Sequence, residues 1–266
     1  MSAWQEVGDG VFARRYAPLD LNIGLVIGDG GVLVVDTRCH LEEARELRRH
    51  IAEVTPLPVR WVVNTHYHWD HTFGNAEFRP APIWGHRRCA TALRDRGRDF
   101  KKDAQRWIPA DADRFEQVTI DPPDQVFDDR ATISLGGRVV EARYLGRAHT
   151  DSDVVLLVPD AGVVFAGDVV DAGGPWFRDG YPLEWPQTVQ ALVGLCTGPV
   201  VPGHGPVADG AFVVRQQEAL AAVVTLARRL EGTRAQDLEK HVHDGPFPPA
   251  TMRTALGVAL AHLQTG

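Results

Sequence analysis

Three cysteines in 266 residues are too few and too scattered to organise a fold. Cys39, Cys89 and Cys196 are odd in number and far apart, so they form neither a disulfide framework nor a CxxC metal site, and they read as buried or incidental thiols. The chain also lacks any apolar run approaching the roughly 20 residues of a membrane span. Its opening residues, Met1-Ser2-Ala3-Trp4-Gln5-Glu6, have neither the basic flank nor the apolar stretch of a signal peptide, so a cytoplasmic location is expected. Positive charge is outnumbered. The balance of 28 Lys and Arg against 35 Asp and Glu leaves −7, which argues against nucleic acid or an anionic membrane as partner, because both reward clustered Lys and Arg. A small molecule is the default substrate class, and a homo-oligomer is compatible with this composition.

What the chain does have is histidine in one place. Thr65-His66-Tyr67-His68-Trp69-Asp70-His71 packs three histidines and a carboxylate into six consecutive positions. Alternate side chains of an extended segment share a face, so His66 and His68 can hold one cation while Tyr67 and Trp69 point the other way. If the chain then turns into a helix, Asp70 and His71 project at a different angle and can reach a second cation. The run therefore reads as half of a two-metal site, with donors suited to zinc and also to iron or manganese. It follows an apolar strand-like segment, Arg60-Trp61-Val62-Val63-Asn64, which a solvated histidine tag would not do.

Around this run the pattern alternates strands and helices. Val11–Ala13, Asn22–Ile27 and Gly31–Asp36 read as strands, with Gly28-Asp29-Gly30-Gly31 as a turn. Leu41 to Val54 carries Leu41, Ala44, Leu47 and Ile51 at helical spacing and ends before Pro56. A strand from Val59 to Asn64 then delivers the histidines, where α/β folds usually place their sites. Pro82–Gly85 is a short strand. The charged segment from Arg87 to Arg106 reads as a solvated helix face, or else as a lid or anion-attracting rim. Pro109 to Asp129, crowded with Pro and Asp, is expected to be mostly loop.

The second half repeats the first. Ala131–Leu135 and Val139–Leu145 flank Gly136-Gly137 as a hairpin, followed by strands at Asp153–Val158 and Gly162–Ala166 and a short run Pro199–Val201. Helices are expected at Pro186–Cys196 and Ala211–Glu231, with two shorter segments near the end. Two similar halves suggest an α/β fold, an αββα sandwich of two facing mixed sheets flanked by helices. The expected organisation is a single domain over 1–266, with a core at about 10–210 and a helical extension at 211–266. Strand ends supply further donors beside glycine: His149 in Gly146-Arg147-Ala148-His149, Asp168 after Ala166-Gly167, and His204 in Pro202-Gly203-His204-Gly205.

Taken together these motifs resemble the metallo-β-lactamase superfamily, with its HxHxDH signature, over roughly residues 10 to 210. The resemblance implies a first metal on His66, His68 and His149, a second on Asp70, His71 and His204, and Asp168 as the bridging carboxylate. It implies two zinc ions per chain and a hydrolase in which a water shared by the metals attacks a small ester, lactone, lactam or thioester, with Asp70 orienting that water. Asp36 and Asp151 are candidates to fix the tautomers of the donors.

Substrate recognition is expected from the Gly- and aromatic-rich stretch after Asp168, where Trp176, Phe177, Tyr181 and Trp185 could wall an apolar pocket and Tyr181 could serve an oxyanion. Other readings are a glyoxalase II-like thioesterase, an iron-dependent persulfide dioxygenase, and a metal-stabilised binding module without catalysis. A secreted β-lactamase is disfavoured by the absence of an export signal and by Asp168. A flavodiiron protein would have glutamate where His68 stands, and a tRNA-processing nuclease would need a more basic surface.

Overall fold

Strand by strand, the chain lays down two sheets that face one another. The computed structural model describes residues 3–232 and 235–265. β1 (Gln5–Gly8), β2 (Val11–Tyr16), β3 (Leu21–Gly28) and β4 (Gly31–Val35) pair antiparallel in succession. After α1 (Leu41–Val54), β5 (Val59–Val63) joins β4 in parallel. Beyond α2 (Trp69–Thr72), β6 (Ile83–His86) extends the same edge. α3 (Arg87–Trp107) and α4 (Ala112–Glu116) precede β7 (Gln125–Phe127), the last of seven strands.

The second sheet holds five strands in the order β12-β11-β10-β9-β8. They are β8 (Arg130–Ser134), β9 (Val139–Tyr144), β10 (Val154–Val158), β11 (Val163–Gly167) and, after α5 (Trp185–Val193), β12 (Val200–Pro202). α6 (Gly210–Arg229) and α7 (Pro249–Thr265) follow. Both sheets are mixed, so the expected αββα layering holds.

Period-two alternation assigns each strand residue to a layer. Leu33 and Val35 of β4 and Leu156, Phe165 and Val163 of the second sheet fill the space between the sheets. Val32 and Val34 face outward, where Ala44, Leu47 and Ile51 of α1 meet them. Val155, Leu157, Val164 and Ala166 face the opposite way, onto the layer that holds Val189 of α5, Leu220 of α6 and Leu256 of α7. Side chains buried on both faces explain the nearly continuous apolar runs of β4, β10 and β11.

Several local expectations change. The interval 109–129 is not mostly loop: it holds a 3₁₀ turn at Pro109–Asp111, α4 and β7. Phe115 anchors α4 in a buried cluster with Leu93 and Phe100, and β7 is a three-residue edge too short to print a pattern. The charged segment is one helix, α3, whose Cys89, Ala90, Leu93, Gly97, Phe100 and Ala104 are buried while its Arg and Lys face outward. It is thus a solvated face on a packed helix, though its last turn does reach the site described next. Near the end, the expected pair of short helices is a 3₁₀ segment (Ala235–Lys240) and the 17-residue α7. Among the described residues no helix is long and apolar enough to cross a membrane.

Candidate metal centre

The end of β5 decides the local geometry. β5 stops at Val63, the chain bends through Thr65, His66 and Tyr67, and His68, at φ −64° and ψ 149°, serves as the N-cap of α2. The helix turn then throws Asp70 and His71 to a different side from His66 and His68. Trp69 also turns: Tyr67 stays buried, stacked on Phe100 at 5.2 Å, but Trp69 lines the pocket instead of facing away as strand alternation implies.

Two donor sets result, His66, His68, His149 and Asp168 in one, and Asp70, His71 and His204 in the other, with donor atoms of each set within 4.8 Å of one another. His149 Nε2 lies 3.2 Å and His66 Nε2 3.8 Å from Asp168 Oδ2, while His71 Nε2 is 3.4 Å from Asp168 Oδ1. Asp168 therefore faces both sets. In the second set, Asp70 Oδ2 is 3.6 Å from His71 Nε2 and 3.4 Å from His204 Nε2. Tetrahedral bonds of about 2.0–2.2 Å put neighbouring donors about 3.3–3.6 Å apart. The observed spacings bracket that range.

Each histidine is held by its far nitrogen. His71 Nδ1 donates to Asp36 Oδ2 at 2.8 Å, His149 Nδ1 to the Trp176 carbonyl at 3.0 Å, and His204 Nδ1 to the Leu19 carbonyl at 2.8 Å. Thr65 Oγ1 donates to Asp36 at 2.8 Å and accepts from His66 Nδ1 at 3.0 Å. These partners assign the tautomers that leave Nε2 pointing inward. His68 is reversed: its Nε2 meets Asp179 Oδ2 at 3.2 Å, which turns Nδ1 inward, 2.8 Å from His149 Nε2. In these tautomers two lone pairs face each other with no proton between them, an arrangement that a cation relieves. His66 Nε2 and Asp168 Oδ1 are likewise buried without a hydrogen-bond partner. Buried polar atoms normally have one, so the donor set fits a dinuclear metal site.

Charge is distributed unevenly between the sets. Burial holds His66 well below the ordinary imidazole range and brings His149 to about 4. Burial also opposes charge on His71 and His204, yet Asp168 and Asp70 raise His71 to about 9 and lift His204 well above its ordinary value. Asp70, despite burial, is drawn down to about 2 by His71 and His204.

Backbone supports this crowding. Asp36 sits at φ +64°, in the left-handed region, which curls its carboxylate under Thr65 and His71. Gly203 packs so close to Asp168 that a Cβ there would collide with Oδ1. Asp36 thus plays the orienting part expected of it. Asp151 does not: it makes no hydrogen bond to any of the seven donors among the described residues, and its carbonyl accepts from Arg88. The next carboxylate, Asp153, pins the turn after His149 by accepting from Thr150 N at 2.7 Å and Oγ1 at 2.6 Å.

Five of the donors, His68, Asp70, His149, Asp168 and His204, form the floor of a cavity of about 510 Å³, while His66 and His71 are fully buried. Of the four aromatic residues expected to wall it, only Trp176 does. Phe177 and Trp185 are 1% and 0% exposed and pack with α5 in the outer core, where Trp185 backs His149 at 5.8 Å between ring centroids. Tyr181 does not line the cavity, and its ring lies beside His262 and the Arg147 guanidinium, which removes it as an oxyanion donor. The sequence pattern missed Phe100, Asp103 and Trp107 from the last turns of α3, Asp179, and Asp171, which burial raises to about 7. Helical spacing does put Phe100, Asp103 and Trp107 on one face, but nothing in the sequence points that face at the histidines.

Comparison with known proteins agrees with this geometry. The profile of the metallo-beta-lactamase superfamily matches residues 17–207, and the chain belongs to that family. The 2,4-dinitroanisole O-demethylase subunit alpha of Nocardioides sp. (strain JS1661) is 27% identical over 259 residues, spanning 90% of this chain and 73% of the relative. Metallo-beta-lactamase type 2 of Bacillus cereus is 24% identical over 228 residues, 82% of this chain and 79% of the relative. Among solved structures, the metallo-beta-lactamase from Pontibacter korlensis superposes with a TM-score of 0.68 at 21% identity, covering 83% of this chain and 99% of that one.

Proposed function

We propose that the chain is a dinuclear zinc hydrolase acting on a small ester, lactone, lactam or thioester. His66, His68 and His149 would hold one cation, Asp70, His71 and His204 the other, and Asp168 both. Two divalent cations held this way would lower the pKa of a bound water to about 7 and would polarise a carbonyl oxygen. Imidazole and carboxylate donors without thiolate suit zinc, and they suit iron or manganese as well. The observation that carries the reading is the convergence of seven donors from four separate strand ends, five of them lining one cavity. A purely structural zinc needs only four closed ligands.

The chain's own groups have distinct tasks. Asp70 would orient the attacking water and would stand as its proton acceptor. Asp36 and the Leu19 and Trp176 carbonyls keep His71, His204 and His149 in the tautomers that present Nε2. Trp69, Phe100, Trp107 and Trp176 displace solvent from the cavity walls. Those aromatic walls also favour a second reading, cleavage of an aryl ether, in keeping with the substrate in the name of the Nocardioides relative.

The test is turnover by zinc-loaded protein on a panel of ester, lactone, thioester, lactam and aryl methyl ether. Turnover of a carbonyl substrate supports the hydrolase, and turnover of the ether alone supports the second reading. Fully loaded protein that turns over none of them points to the binding module. Oxygen uptake with a persulfide by iron-loaded protein would point to the dioxygenase.

A further inference from the structure

Among the described residues four large apolar side chains are notably exposed: Trp107 at 52%, Val139 at 39%, Trp176 at 38% and Val214 at 37%. The two tryptophans meet edge to face at the cavity mouth, with ring centroids 5.0 Å apart, although one comes from the end of α3 and the other from the loop after β11. Exposed aromatics that converge in this way, over a cavity already floored by donors, mark a binding surface. Neither ring is needed for the core. Trp176 secures its loop through its backbone carbonyl, which accepts from His149, and not through its indole.

The charge around this pair is one-sided. Asp20, Asp103 and Asp179 line the cavity in addition to the donors, and Arg178 is the only Lys or Arg among the lining residues. The cations that balance the first two, Arg15 and Arg106, are not among the lining residues. A carboxylate on the ligand would be repelled at the rim, whereas a neutral ring would not, and a cation over an indole face would be attracted.

We infer that this site selects substrates whose portion remote from the reacting bond is an aromatic ring without an anionic substituent, with Trp107 and Trp176 as the platform and Asp103 and Asp179 as the electrostatic filter. This rests on the hydrolase reading for its orientation, since the ring must lie above a group bound at the donors.

A series of hydroxamates with one common metal-binding head separates the two claims. Acetohydroxamate tests the head alone. Benzohydroxamate adds the ring, 4-carboxybenzohydroxamate adds an anion, and 4-(trimethylammonio)benzohydroxamate adds a cation. Binding to zinc-loaded protein is read by calorimetry and by quenching of tryptophan fluorescence. The ring should tighten binding about tenfold or more over the methyl group, the carboxylate should remove about tenfold, and the ammonium should remove nothing. Trp107→Ala and Trp176→Ala should each collapse the ring-to-methyl ratio, and Asp103→Lys should relieve the carboxylate penalty. A carboxylate analogue that binds as well as the neutral ring, or a ring preference that survives both tryptophan variants, overturns the inference while leaving the hydrolase reading intact. Failure of acetohydroxamate to bind zinc-loaded protein would remove the accessible metal position that the hydrolase reading requires, and this inference with it.

Discussion

At the scale of single residues, the centre depends on contacts that allow little substitution. Gly203 is the sharpest case, because any side chain there meets Asp168 Oδ1. Gly203→Ala should therefore push the shared carboxylate away and cut metal retention, seen as a metal-to-protein ratio well below that of wild type after gel filtration, with the circular dichroism spectrum little changed. Asp70→Asn tests a different link. The amide is nearly isosteric but is a poorer donor and no proton acceptor, so turnover should fall by at least the roughly 10²–10⁴-fold that general acid–base groups contribute. The thermal midpoint should move little. Near-normal turnover would take Asp70 out of the mechanism.

All seven donors were legible as residues, because histidine and aspartate beside glycine at strand ends form a pattern with few other uses. Their orienting partners were only partly so. Asp36 stood out at the end of an apolar strand. The Leu19 and Trp176 carbonyls were invisible, since any residue can supply a backbone oxygen.

Among elements, those with strong periodicity read through and those positioned by tertiary contact did not. α1, with Ala44, Leu47 and Ile51 buried at helical spacing, is fixed by its own sequence. β7 and α4 exist because Phe115 and Phe127 find buried places that only the folded chain provides. The aromatic loop shows the limit of composition: four aromatic residues in ten positions look like one wall, yet two fill the core, one stacks at the surface, and one reaches the site. Because Leu47 of α1 packs in an outer cluster that contains none of the seven donors, core damage there should be separable from the chemistry. Leu47→Ala, at a fully buried position, should cost about 2–5 kcal/mol of stability by chemical denaturation. The folded fraction should keep its metal content, and loss of metal in proportion to stability would show that the layers are coupled.

For the whole molecule, the uneven charge of the two donor sets predicts how the centre fills. His66 and His149 are neutral near pH 7, so a cation bound there displaces no proton from either. His71, raised to about 9, and His204, raised well above its ordinary value, carry protons that a cation in the second set must displace. The second cation should thus bind more weakly as pH falls below about 9, by about tenfold per pH unit for each displaced proton. Zinc titration calorimetry in two buffers of different ionisation enthalpy should find proton release tied to the second equivalent alone. Equal release in both steps would contradict the assignment. The sign reverses for the stability of metal-free protein. A histidine raised from 6.5 to about 9 stabilises the fold fully below 6.5, and that contribution is lost as pH rises through about 9.

The claim on which the rest stands is that two cations share this floor, and metal content measures it directly. Elemental analysis of purified wild-type protein beside His204→Ala should return about two transition-metal ions per chain, mostly zinc, falling to about one in the variant. One iron per chain, unchanged by the loss of His204, would contradict the account.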